Sequence, residues 1–226
     1  MRVGILSHSF TSALRVYNEV CSLAECECYI VISPSPTRSA AVSIAANIAR
    51  ITKAGGQSLK LFRTGRLVLL NGPLDASDSL ERLRHLQLDV GLHQTGIIYR
   101  KETINAFRLG ILNAHIGVLP AYRGRSVMEW SLLQGDATGI TVFFVDEGID
   151  TGERIVIREE VDVSHCNSVT AAKQYLFGLA GSFYRKALVK LMAGEAVQAN
   201  DGSGRRYYVM SKLFSGVVEG LLTTKN

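Results

Sequence analysis

From Tyr29 to Leu74 the chain carries no aspartate or glutamate. Other shortages bound what a protein of 226 residues can be. No apolar run approaches the ~18 residues of a membrane-spanning helix, so no membrane partner is expected. The opening MRVGILSHSF lacks a secretory h-region and cleavage site and reads as a first strand, so a cytoplasmic location is expected. Cysteines stand only at 21, 26, 28 and 166, and the spacing C-x4-C-x-C fits no common zinc pattern. They are expected to be free, buried thiols in a reducing compartment, with no metal bound.

What is present is ordinary in bulk and uneven in detail. A hydrophobic content of 47% and a charged content of 20% are those of a globular domain, and the length buries a core without staples. The net charge is +5, and the acid-free stretch holds Arg38, Arg50, Lys53, Lys60, Arg63 and Arg66. These make either a solvated basic face or a surface for an anionic substrate, a nucleotide or RNA. Phe62 is the one aromatic residue among them, too few to stack on successive bases, which argues against nucleic acid.

Apolar runs predict strands at Arg2–Ser7, Cys28–Ile32, Ile111–His115, Gly139–Val145 and Ile155–Val163, and another beginning at Asp89. Helical spacing predicts helices at Ser12–Leu23 (stripe Leu14, Tyr17, Val20), Ser39–Lys53 (stripe Ile44, Ile48, Ile51, closed by Gly55-Gly56), Ser77–Leu86, Thr103–Phe107 and Ser126–Gln134. One long helix is expected over Asn167–Met192. Leu59–Leu70 reads as two short strands around Thr64-Gly65. A strand pair at Gly204–Met210 and a final helix at Lys212–Leu222 follow. This alternation predicts an α/β fold, a mostly parallel twisted sheet with helices on both faces, with ligands beyond the carboxyl ends of its strands.

The block from Ile111 to Ile155 carries the chemistry. Residues two apart in a strand share a side, so Asn113 and His115 can face one ligand. An amide donates to an oxyanion, and an imidazole takes or gives a proton near neutral pH. After a second apolar strand, Gly148-Ile149-Asp150-Thr151-Gly152 places a carboxylate in a glycine-flanked turn. Each signal alone is weak; together they supply what acyl transfer to an amine needs.

In order, the block reads NAH, LPAYRG, WSLLQGD and VDEGIDTG, and in these linked motifs it resembles the folate-dependent formyltransferase family. The likeness covers roughly the first two thirds of the chain. It implies a Rossmann-like catalytic domain over 1–195 and a short extension over 196–226, a hairpin plus helix with no separate barrel domain. It implies 10-formyltetrahydrofolate as donor in one-carbon metabolism. Asn113, His115 and Asp150 would be the catalytic trio. The first two would stabilise an oxyanion, while Asp150 orients the imidazole or relays the amine proton. The pterin would lie between backbone of Ile97, Ile98 and Tyr99 and backbone of Val145, Asp146, Glu147 and Gly148. The expected partners are folate and a small amine, anionic or nucleotide-linked. The loop Ser7–Ser12 lacks the glycines with which the glycinamide ribonucleotide enzymes hold a phosphate. Hydrolysis of the donor, or a methionyl-tRNA enzyme without its C-terminal domain, are the alternatives. The tail Leu213–Leu222 packs within the chain or forms a homodimer surface.

Overall fold

A computed structural model describes residues 1–148, 150–152, 154–199 and 204–223. Ile149 of the glycine-flanked turn, and residues 200–203 and 224–226 of the expected extension, lie outside the described residues. The chain divides into two compact units, Met1–Leu112 and Asn113–Asn226.

The first unit is built on β1 (Arg2–Ser7), β2 (Glu27–Ile32), β3 (Leu67–Leu69), β4 (Val90–Gln94) and the beginning of β5 (Gly110–His115). They run parallel in the order β3-β2-β1-β4-β5. Parallel strands need crossovers, which here carry helices α1 (Phe10–Val20), α2 (Ala40–Lys53), α3 (Gly56–Arg63), α4 (Ser77–His85) and α5 (Lys101–Ile104). Strands covered on both faces read as continuous apolar runs, and Val3, Ile5, Leu6, Ile30, Val31, Val90 and Leu92 are all fully buried.

Of the predicted stripes only Val20 in α1 is fully buried, and α2 turns a different face to the core. In α1 the buried residues are Phe10, Ala13, Val16 and Val20. In α2 they are Ser43 and Asn47, while Ile48 is 48% exposed. Hydrogen bonds decide this. Asn47 Oδ1 accepts from Phe10 N at 2.9 Å, and its Nδ2 donates to His8 O at 3.1 Å and Ser43 O at 3.0 Å. Turning Asn47 outward would leave those backbone groups unmet. The strand pair expected at Leu59–Leu70 is instead α3 followed by β3. Gly65, at φ 67°, supplies the left-handed turn that ends the helix rather than a hairpin.

In the second unit β7 (Gly139–Phe144) pairs antiparallel with β8 (Arg154–Glu160), and β8 with β9 (Gln198–Ala199). A small parallel pair joins β6 (Tyr122–Gly124) to β10 (Arg205–Tyr207). This replaces the pairing expected within Gly204–Met210, because the Tyr207 ring stacks on Tyr122 with centroids 5.3 Å apart. The helices are α6 (Val127–Gln134), α7 (Val169–Gly178), α8 (Ala180–Met192) and α9 (Lys212–Thr223). The single long helix expected over Asn167–Met192 is thus two, broken after Gly178, a residue of poor helix propensity. Ser168 caps α7, its hydroxyl accepting from Ala171 N at 3.1 Å.

Candidate active site

Three predicted side chains meet in the second unit. Asn113 and His115 end β5, and Asp150 stands in the turn between β7 and β8. Asp150 has φ 45°, a left-handed conformation that aspartate tolerates better than most residues. Its carboxylate is a node for three donors. Asn113 Nδ2 donates to Oδ1 at 3.4 Å, Gly124 N donates to Oδ2 at 3.2 Å, and His115 Nδ1 lies 3.6 Å from Oδ2. His115 and Asp150 are 7% and 16% exposed at the side chain, so little water screens the pair.

The groups that hold His115 are ones that motif reading missed. Its Nε2 lies 2.9 Å from the Tyr122 carbonyl oxygen and donates to it. That fixes the ring and leaves Nδ1 as the nitrogen facing Asp150. The Nε2 proton is committed to Tyr122 O, and Nδ1 is left at ion-pair distance from Asp150. Gly117 makes the contact possible: a Cβ there would lie 2.7 Å from His115 Nε2 and 2.9 Å from Tyr122 O. The spacing H-x-G was the available signal. Tyr122 itself is held by stacking on Tyr207 and by donating from its hydroxyl to Asp136. Burial and then that hydrogen bond push the Tyr122 phenol well above its usual range. The conspicuous tyrosine and aspartate of LPAYRG and WSLLQGD are therefore partners.

Two further anchors come from distant segments. The fully buried Tyr184 of α8 accepts from Ala114 N at 3.0 Å, between the two polar residues of β5. Thr141, fully buried in β7, donates to Gly117 O at 2.7 Å and accepts from Leu119 N at 3.1 Å. Phe143 packs with Leu119 and Ile155, its ring edge-on to His115 at 6.4 Å between centroids.

The other predicted residues fall in both units. In the second, Val145 to Gly148 follow β7, and Asp146 folds that turn by accepting from Gly148 N at 2.7 Å and from the Thr151 hydroxyl. Val145 and Asp146 are half-buried, whereas Glu147 and Gly148 are exposed. In the first, Ile97, Ile98 and Tyr99 line a cavity of about 410 Å³. Ile98 is 66% exposed, while Tyr99 is buried, its hydroxyl 2.9 Å from His93 Nδ1 and 3.1 Å from Thr95 Oγ1. Among the described residues no three His, Cys, Asp or Glu side chains gather as a metal site, and no helix is long and apolar enough to cross a membrane. The six cations of the acid-free stretch do not form one array. Arg66 pairs with Glu27 at 3.5 Å, while Arg50, Lys53, Lys60 and Arg63 occupy last turns of α2 and α3, where the helix dipole favours them. Arg38 lines the cavity.

An α/β chain with an amide, an imidazole and a carboxylate gathered at a strand's end belongs to the class that can transfer acyl groups. A family model described as formyl transferase matches residues 76–188, half of the sequence. The chain belongs to the formyl transferase family. Methionyl-tRNA formyltransferase of Ruminiclostridium cellulolyticum is 29% identical over 137 residues, covering 60% of this chain and 44% of that protein. The corresponding protein of Clostridioides difficile is 30% identical over 130 residues, 54% of this chain and 41% of that one. The chain thus spans under half the length of these relatives. Among solved structures, a sugar N-formyltransferase from Shewanella sp FDAARGOS_354 superposes with TM-score 0.65 at 16% identity, over 98% of this chain and 87% of that one. Glycinamide ribonucleotide transformylase 1 from Symbiobacterium toebii gives 0.62 at 20% identity, over 89% and 94%. The formyltransferase PseJ from Anoxybacillus kamchatkensis, in complex with UDP-4,6-dideoxy-4-formamido-L-AltNAc and tetrahydrofolate, gives 0.57 at 16% identity over the whole of both chains. These likenesses establish the Rossmann-like formyltransferase fold.

Proposed function

We propose that the chain is a folate-dependent N-formyltransferase, moving a formyl group from 10-formyltetrahydrofolate to a primary amine of a small, anionic or nucleotide-linked acceptor. The observation that carries this reading is the Asp150 node, with Asn113 and His115 both turned to one carboxylate. Residues 1–195 would form the catalytic domain and 196–226 an extension. The first-unit segment Ile97–Tyr99 and the second-unit turn Val145–Gly148 would contact folate. The turn at Val145–Gly148, already folded by Asp146, would present backbone groups to the hydrogen-bonding edge of the ring.

When bound, the donor supplies an electrophilic formyl carbon. One hydrogen of Asn113 Nδ2 goes to Asp150, and the other is free to donate to the carbonyl oxygen as negative charge develops. His115 is held at Nε2 by Tyr122, while the 3.6 Å separation at Nδ1 is an ion-pair distance rather than a good hydrogen bond. An Nδ1 proton, fixed in direction and only loosely paired with Asp150, can be shared with the same oxygen, with Asp150 balancing the charge on the ring. Two hydrogen bonds and the ion pair with His115 leave Asp150 a lone-pair direction to take the proton the attacking amine sheds and to return it to N10 of tetrahydrofolate as the bond from N10 to the formyl carbon breaks.

The acceptor reading is supported by the whole-length match to a formyltransferase solved with a nucleotide sugar. The methionyl-tRNA relatives are matched over less than half their length. The deciding experiment measures donor consumption by the purified chain against sugar nucleotides, amino acids and aminoacylated tRNA. Asn113→Ala and His115→Ala should lower turnover by about 10²–10³-fold and keep tetrahydrofolate binding. Unchanged turnover would refute the trio, and full turnover without any amine would make the chain a hydrolase.

A further inference from the structure

The strand β6 has two edges with different duties. Successive residues of a strand turn their N–H and C=O groups to alternate edges, so Tyr122 and Gly124 share one edge while Arg123 and Arg125 share the other. The first edge serves the candidate site. Tyr122 O accepts from His115 Nε2 at 2.9 Å, and Gly124 N donates to Asp150 Oδ2 at 3.2 Å. The imidazole and the carboxylate therefore keep their places only while this piece of backbone keeps its own.

β6 is 3 residues long, and its strand neighbour is β10, far along the chain. β10 pairs with the second edge, Arg206 opposite Arg123, and Arg125 N donates to Tyr207 O at 3.1 Å. The two backbones lie in contact: a Cβ at Gly124 would run into Tyr207 O, and one at Gly204 into Pro120 O. The Tyr207 side chain seats the pair. Its ring stacks on Tyr122 at 5.3 Å and lies 5.6 Å from Trp130, and its hydroxyl accepts from Gln134 Nε2 at 3.0 Å. Trp130 also donates from Nε1 to Tyr208 O at 2.9 Å, so α6 grips β10 through both of these residues. Beyond β10, α9 is anchored by buried Val218 and Leu222 and by Glu219, whose Oε2 accepts from Val169 N at 2.9 Å.

We propose that Tyr207 is a positioning residue for formyl transfer. It seats β10 against β6, and so sets where Tyr122 O holds the imidazole and where Gly124 N holds the carboxylate. The inference rests on the formyl-transfer reading, because transfer is the rate it governs. A shift of β6 that lengthens either contact loosens a group that must meet the developing oxyanion, and misplacing such a group by about 1 Å can cost about 100-fold.

Steady-state kinetics and imidazole NMR of the full chain test it. Tyr207→Ala should lower kcat at saturating amine by roughly 10-fold or more and leave the Kd for tetrahydrofolate within about twofold. Tyr207→Phe keeps the ring stack, loses the bond from Gln134, and should restore most of kcat. With isotope-labelled histidine, the His115 ring signals, identified by their absence in His115→Gln, should move in Tyr207→Ala and stay in Tyr207→Phe. Should Tyr207→Ala be recovered unfolded, Trp130→Phe frees Tyr208 O, keeps an aromatic ring, and should move kcat and the His115 signals in the same direction. Unchanged values there overturn the proposal. So does a folded Tyr207→Ala with kcat within about twofold of wild type, a fall in kcat that Tyr207→Phe shares in full, or a fall with the His115 signals unmoved. Failure of the transfer reading shows differently: the wild-type chain passes formyl to no amine, while its His115 signals still respond to Tyr207→Ala.

Discussion

The two units handle their polar groups in opposite ways. Around Asp150 in the second unit, an amide, an imidazole and a backbone N–H are answered by one carboxylate, and the far side of the imidazole is answered by a carbonyl. In the first unit, among the described residues, His8 Nε2 is buried without a hydrogen-bond partner and Arg38, on the cavity lining, makes no ion pair. Groups that are already paired and oriented can act on a reaction without reorganising. Groups left unmet at a cavity gain most when a ligand arrives, because leaving them unmet costs more than pairing them returns. The polar groups of the second unit are paired in advance of any ligand, and those named in the first unit are not.

Substitutions can break that contrast, and the largest effect is expected at the node. His115→Ala or Asp150→Ala should lower the rate of formyl transfer by about 10²–10³-fold, measured by donor consumption at saturating amine. Next come the braces of each unit. In the second, Gly117→Ala drives a methyl group between His115 Nε2 and Tyr122 O and should cost about 1–3 kcal/mol in urea unfolding, with loss of activity. In the first, Asn47→Ala strips Phe10 N and His8 O of their partner and should cost about 1–3 kcal/mol. Tyr184→Phe removes one hydrogen bond to Ala114 N and should cost about 1 kcal/mol, with a smaller fall in kcat than any change at the node.

The smallest expected effect is a pH dependence in the first unit. Burial works to raise the Asp89 carboxyl, but hydrogen bonds from Arg2 N and from Arg108 outweigh it and hold Asp89 below the usual carboxylate range. A carboxyl depressed in the fold and ordinary in the unfolded chain contributes stability that is complete above its ordinary value of about 4. That contribution is lost as the pH falls through the lower folded value. Asp89→Asn should therefore flatten the acid limb of the stability curve, read from urea midpoints between neutral and acid pH. A variant that keeps the wild-type acid limb would remove Asp89 from the account.

Much of the framework was legible because strands buried on both faces announce themselves as apolar runs; β1, β2, β4, β5 and β7 fall within about a residue of their expected places. Helix faces were less legible. In α2 the isoleucine stripe lost to Ser43 and Asn47, because a buried hydrogen-bond hub outweighs a few half-exposed aliphatic side chains. Charge counting along the chain also misled: Arg66, at the end of the acid-free stretch, is answered by Glu27 on a neighbouring strand. At the site, the positions of Asn113, His115 and Asp150 could be read from linked motifs. The carbonyl of Tyr122 could not, since every residue has one and only the fold selects which is near.

Similarly, Glu129 looks like an ordinary helix-surface acid, yet it is buried in α6 and paired with Lys173 of α7. Local pattern is enough to decide where backbone becomes strand or helix, because periodicity and turn chemistry act over a few residues. Residue identity alone likewise decided that an amide, an imidazole and an acid are carried on β5 and on the turn that follows β7. Only the tertiary structure decided which imidazole nitrogen of His115 is held and which faces Asp150. It also decided that His8 Nε2 would be buried without a hydrogen-bond partner among the described residues. Those outcomes depend on atoms brought together from distant parts of the chain, within the few ångströms over which hydrogen bonds act.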